Sequence, residues 1–101
     1  MSDFFNILNQ EEKEILCSEA EWLKSIAHPI RLCIVKGLIG RGSCNVNYIK
    51  DCLELPQSTV SQHLQVLRQT GIVKGTKTGT VVNYKIADDR VKELIKILDI
   101  K

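Results

Sequence analysis

The sequence has no apolar run of membrane-spanning length, and Met1 to Gln10 lack both the basic start and the apolar stretch of a secretory signal. A cytoplasmic protein with no membrane partner is expected. There is no glycine-rich loop of the kind that cradles phosphate and no nucleophile–base pair at readable spacing. Only two histidines occur, His28 and His63, with no spaced set of ligands around either. These gaps argue against an enzyme and against a tetrahedral zinc site. The most informative absence is of one charge: from Leu55 to Ala87 there is no Asp or Glu.

What is present fits one compact domain, residues 1–101, in which 44% of the residues are apolar. A chain this short buries a modest fraction of its surface, so burial against a second copy would help it. The net charge of +2 says little, but its distribution says more. Residues 1–27 hold six acids and two bases, residues 28–87 two acids and eight bases, and residues 88–101 four of each. A basic module with an acidic flank suggests nucleic acid on one face and something else on the other. Four cysteines in an intracellular chain are expected as thiols rather than disulfides.

Hydrophobic periodicity divides the chain into five helices and a hairpin. Residues 1–8 form an apolar arm, flexible or packed against a dimer partner. Asn9 and Glu12 make a capping box for the first helix. Leu16, Ala20, Leu23 and Ala27 mark an apolar stripe on that helix, with Ile15, Trp22 and Ile26 beside it. This is wider than one core needs, and a dimer face shared with the last helix is expected. His28-Pro29 starts the second helix, which Gly40-Arg41-Gly42 ends. Asn45 to Leu53 reads as the third helix, and Leu55-Pro56 turns into the fourth, which Gly71 stops. Strands at Ile72–Thr76 and Val81–Ile86 flank a Lys77-Thr78-Gly79-Thr80 tip. Asp88 caps a final helix whose Val91, Leu94, Ile95 and Leu98 form a stripe widened by Ile97 and Ile100.

The fourth helix carries the functional signal. With Val60 as the core direction and about 100° per residue, Val60, Leu64 and Leu67 share a face. Ser58, Gln62, Gln65 and Gln69 point the other way, with Thr59 and Ser61 on the flanks. An ordinary solvated face would carry Glu and Lys; this one is uncharged but rich in groups that bond to base edges and phosphates. Gln57, Ser58, Thr59, Ser61 and Gln62 are expected to meet DNA, with Arg68, Lys74, Lys77 and Thr78 on the backbone. His63 lies about 60° from the core direction, where a structural hydrogen bond and a DNA contact are equally compatible. A winged-helix module that binds another protein is the alternative.

The segments A-H-P-I-R-L (Ala27 to Leu32), Q-S-T-V-S-Q-H-L-Q-V-L-R-Q-T-G-I-V (Gln57 to Val73) and V-V-N-Y-K-I (Val81 to Ile86) resemble the ArsR/SmtB family. These are winged helix-turn-helix repressors that answer to metals, metalloids or thiol chemistry. The resemblance implies a mostly α fold of four helices, a β-hairpin and a last helix, dimerised through the first and last helices. It also implies a homodimer on an inverted-repeat operator of double-stranded DNA, weakened by an inducer. The family's sensor sites fit poorly. At the third helix the chain reads S-C-N-V-N-Y-I with one cysteine, and on the final helix Arg90 follows Asp88 where the family has a histidine. A cysteine pair between the second and final helices is missing, with Lys36 in the first place. Cys33 and Cys52 are expected as small buried hydrophobes. Cys17 and Cys44 remain as thiol candidates for As(III), another soft metal ion or thiol modification.

Overall fold

The computed structural model describes residues 5–100. Its elements are α1 (Gln10–Ile26), α2 (Pro29–Arg41), β1 (Cys44–Asn45), α3 (Val46–Leu53), α4 (Gln57–Gln69), β2 (Val73–Thr78), β3 (Val81–Ile86) and α5 (Arg90–Ile97). The helix and hairpin order is the one that periodicity predicts. Two details differ. The hairpin turns over Gly79-Thr80 alone, so Lys77 and Thr78 end β2 instead of sitting in a four-residue tip. A third strand precedes α3: β1 pairs antiparallel with β3, Cys44 opposite Tyr84, giving the sheet order β1-β3-β2. Two residues are too few for any alternation to show in sequence.

Local chemistry sets the helix limits. The Asn9 side chain accepts the Glu12 N–H at 2.8 Å and the Glu12 carboxylate accepts the Asn9 N–H at 3.4 Å, which is the expected capping box. At α2, His28 Nδ1 accepts the Ile30 N–H and Pro29 occupies the first turn, where a missing donor costs nothing. Asn45 caps α3 through the Tyr48 N–H at 2.8 Å. The Asp88 carboxylate accepts the Arg90 N–H at 3.0 Å and so serves α5 from one position further out than expected. Gly71, at φ 75°, lets the Ile72 N–H return to the Leu67 carbonyl and closes α4.

The core lies where α2, α4 and the start of the wing meet. Val35, Leu38, Val60, Leu64, Leu67, Ile72 and Val91 are essentially sealed from water, and Trp22, Ile26 and Ile95 join them from α1 and α5. This selects among the apolar residues of α1: Trp22 and Ile26 turn inward, while Ile15 (54% exposed), Leu16 (50%) and Leu23 (52%) face away from the subunit's own core. Ile97 and Leu98 at the end of α5 are likewise exposed. Of the apolar arm, residues 1–4 lie outside the described residues, and Ile7 is exposed.

Two polar clusters lock the helices together. The Trp22 indole N–H donates to Asp88 at 2.9 Å, while Arg90 lies over the indole ring and bridges Asp88 and Glu19. One turn further along α1, Ser25 donates to the Trp22 carbonyl and shares a hydrogen bond with Thr70, just past α4. The first cluster joins α1 to α5, and the second joins it to the base of α4.

Candidate nucleic-acid interface

The surface predicted to meet DNA begins at a tight turn. α3 ends at Glu54 in the left-handed region (φ 54°), and the Leu55 N–H reaches back to the Lys50 carbonyl. Pro56 then starts α4 with no side-chain cap; its carbonyl instead takes the Thr59 and Val60 N–H groups. Pro56, Gln57 and Ser58 are exposed, so the first turn of α4 is open to solvent.

Along α4 the structure separates the two faces as the periodicity does. Val60, Leu64 and Leu67 are buried, whereas Gln57, Ser58, Ser61, Gln62, Gln65, Arg68 and Gln69 are exposed and Thr59 is half-buried. Lys74, Lys77 and Thr78 are exposed on β2. Arg68 on α4, Lys74 and Lys77 on β2 and Lys85 on β3 thus present four exposed cations, with no carboxylate between Leu55 and Ala87. Gly75 in β2 faces Tyr84; a Cβ there would come 3.1 Å from Val82 Cγ1 and 3.2 Å from Tyr84 Cε1. The strand is kept thin so that Tyr84 can lie across it.

His63 behaves differently from its neighbours. It is half-buried, its ring tilted by 44° against that of His28 with centroids 4.6 Å apart, and its Nδ1 lies 3.2 Å from Arg31 Nη1. Because a guanidinium only donates, Nδ1 must accept and the ring proton sits on Nε2. Burial first, then the His28 and Arg31 charges, hold its pKa below the usual histidine value. Arg31 also donates to the Ser25 and Lys24 carbonyls at the end of α1. Its place in the sequence gives no hint of this; a cation near the end of a helix that precedes it is the only signal available.

A family model described as "Bacterial regulatory protein, arsR family" matches residues 28–74, the stretch that contains α2, α3, the turn and α4. An uncharacterised HTH-type transcriptional regulator of Methanocaldococcus jannaschii is 50% identical over 80 residues, covering 79% of this chain and 90% of that protein. The chain belongs to the ArsR family. The transcriptional repressor PagR of Bacillus anthracis is 43% identical over 80% of this chain and 81% of its own length. Its crystal structure superposes with a TM-score of 0.76, covering 84% and 97% of the two chains. A homodimeric winged helix-turn-helix DNA-binding domain from Mycobacterium bovis superposes with a TM-score of 0.81 at 27% identity, over 91% of this chain and 84% of that one. This ArsR-family chain is accordingly a winged helix-turn-helix transcriptional regulator and not an enzyme.

Within one subunit the described residues do not assemble the metal sites that the family resemblance implies. Among the described residues no three His, Cys, Asp or Glu side chains gather as ligands. Asp88, at the place of a family ligand, is held by Arg90 at 2.9 Å, which keeps its carboxyl below the usual carboxylate range. The cysteines also depart from expectation. Cys33 and Cys52 are exposed, whereas Cys44 is buried because β1 packs it against the core. Cys17 is exposed on α1, as expected of a thiol candidate. The periodicity misplaces Cys52 because α3 has only eight residues and is buried chiefly through Ile49.

Proposed function

We propose that this regulator acts as a homodimeric repressor that sets α4 of each subunit into successive major grooves of an inverted-repeat operator. Gln57, Ser58, Thr59, Ser61 and Gln62 read base edges; Arg68, Lys74, Lys77 and Thr78 meet phosphates. His63, engaged with Arg31 and packed against His28, orients α4 from behind. The observation that carries this reading is an exposed, uncharged, hydrogen-bonding helix face beside a basic hairpin with no carboxylate in the sequence between. The apolar residues left outside on α1 and α5 support a second copy as the partner. The reading takes the effector to act on a thiol, and Cys17, Cys33 and Cys52 are the exposed ones.

Mobility-shift titration with the regulator's own promoter DNA over a range of salt concentrations tests the proposal. Affinity is expected to fall linearly in log–log form, because each neutralised phosphate releases a counterion. Lys77→Ala, which removes one phosphate contact from each subunit, should reduce the slope by about two while weakening all sequences alike, and Gln62→Ala should relax preference at one base position of each half-site by about 1–3 kcal/mol. Binding that ignores salt, or Gln62→Ala and Ser58→Ala variants that read DNA like the parent, would sink it.

A further inference from the structure

Three of the four cysteines, from three different elements, share one wall. Cys33 of α2, Cys44 of β1 and Cys52 of α3 line a pocket of about 190 Å³ whose other sides are chiefly apolar carbon, with Tyr48 and Arg41 on its rim. Cys33 and Cys52 are exposed, Cys44 is buried, and the Arg41 guanidinium lies over the Tyr48 ring at 4.1 Å from its centroid. Cys52 also lies close enough to Tyr48 to push its phenol above the ordinary value. Gly37 also faces the pocket, and a Cβ there would meet nothing within 4 Å.

Size and lining restrict the occupant. Pockets for drug-sized ligands run from about 300 Å³ upward, whereas an apolar cavity of about 150 Å³ takes a single benzene ring. Apolar carbon and polarizable sulfur both favour an aromatic or quinonoid ring over a charged or strongly hydrated molecule. Two accessible nucleophiles on the wall favour a ring that reacts with thiols. We infer that the pocket between α2, β1 and α3 captures a single-ring quinone, which forms a covalent adduct with Cys33 or Cys52 and weakens operator binding. The inference rests on the repressor reading above and names its effector class.

The step is a conjugate addition. The sulfur attacks a ring carbon, an S–C bond forms, and the electrons of the C=C π bond pass to a carbonyl oxygen. The hydrogen displaced from the attacked carbon and the proton lost by the thiol end on the two oxygens. The product is a hydroquinone thioether; the ring takes up the two electrons itself, so no further oxidant or reductant enters. The location connects the adduct to DNA. α3 packs directly on α4, and β1 is hydrogen-bonded to the wing through Cys44 and Tyr84. A ring held between α2 and α3 alters the setting of both DNA-facing elements.

The reduced full chain is treated with 1,4-benzoquinone at equal concentration, then mapped by peptide mass spectrometry and titrated with promoter DNA. The expected result is one adduct per subunit, on Cys33 or Cys52 with Cys17 spared, and about tenfold weaker DNA binding, a usual size for coupling between two sites. Iodoacetamide, which has no ring to place, should label exposed Cys17 as readily as the pocket thiols. Gly37→Leu fills the space without removing a thiol and should slow quinone capture at Cys33 and Cys52 while leaving Cys17 unchanged. The double substitution Cys33→Ala/Cys52→Ala should abolish both adduct and release. Quinone labelling that follows exposure alone, or adducts that leave DNA affinity intact, overturns the inference. Absence of DNA binding before any quinone is added would instead overturn the repressor reading.

Discussion

His63 is the residue at which structure and titration meet most directly. Its ring nitrogen must stay unprotonated to accept from Arg31, and protonation would set a positive imidazolium against both Arg31 and His28. Its folded pKa lies below the unfolded value of 6.5, so in mildly acidic solution the unfolded chain binds the extra proton. The stability it contributes is complete above the unfolded value and declines as pH falls through 6.5 toward the folded pKa. Thermal melts between pH 7.5 and 5 should show a falling Tm in the parent and a shallower fall in His63→Gln. Parallel curves would refute the assignment. The sequence places His63 near the edge of the buried face, which is where it lies, but the Arg31 that fixes its tautomer comes from another helix. Such a partner is invisible to any local pattern.

Between residues and whole molecule stand the short elements that aim α4. The turn after α3 uses a left-handed residue, and that residue is Glu54 rather than glycine. An L side chain there costs about 1–2 kcal/mol, partly offset by the greater freedom that glycine has when unfolded. Glu54→Gly should therefore stabilise the fold by about 0.5–1 kcal/mol, raising Tm by several degrees for a domain of this size. Differential scanning calorimetry checks it, and a lower Tm would show that the Glu54 side chain matters more than its backbone. The long elements were legible: α1, α2 and α4 follow from their capping residues, their 3.6-residue periodicity and Gly71. β1 was not, since two residues carry no period, and with it went the burial of Cys44. The expected burial of Cys33 and Cys52 failed for a related reason. On a short or partly covered helix an apolar position marks a direction, not a depth.

For the molecule as a whole, the proposed dimer draws on the apolar residues left outside on α1 and α5. Ile15, Leu16 and Leu23 on one helix and Leu98 on the other, each already about half covered, would gain about 0.8–1.5 kcal/mol apiece on full burial, and the more exposed Ile97 somewhat more. Leu16→Glu combined with Ile97→Glu should yield a monomer in sedimentation equilibrium, with operator affinity reduced by a hundredfold or more as the two half-sites lose their shared partner. A double variant that remains dimeric would move the interface elsewhere. Sequence width alone had flagged both helices, because apolar residues on more than one side exceed what a single core can use. The bond between those helices within one subunit has its own consequence. Trp22 is the chain's single indole, roofed by Arg90 and tied to Asp88 where the first and last helices join. The emission of the protein is therefore a one-site optical gauge of how its first and last helices are joined.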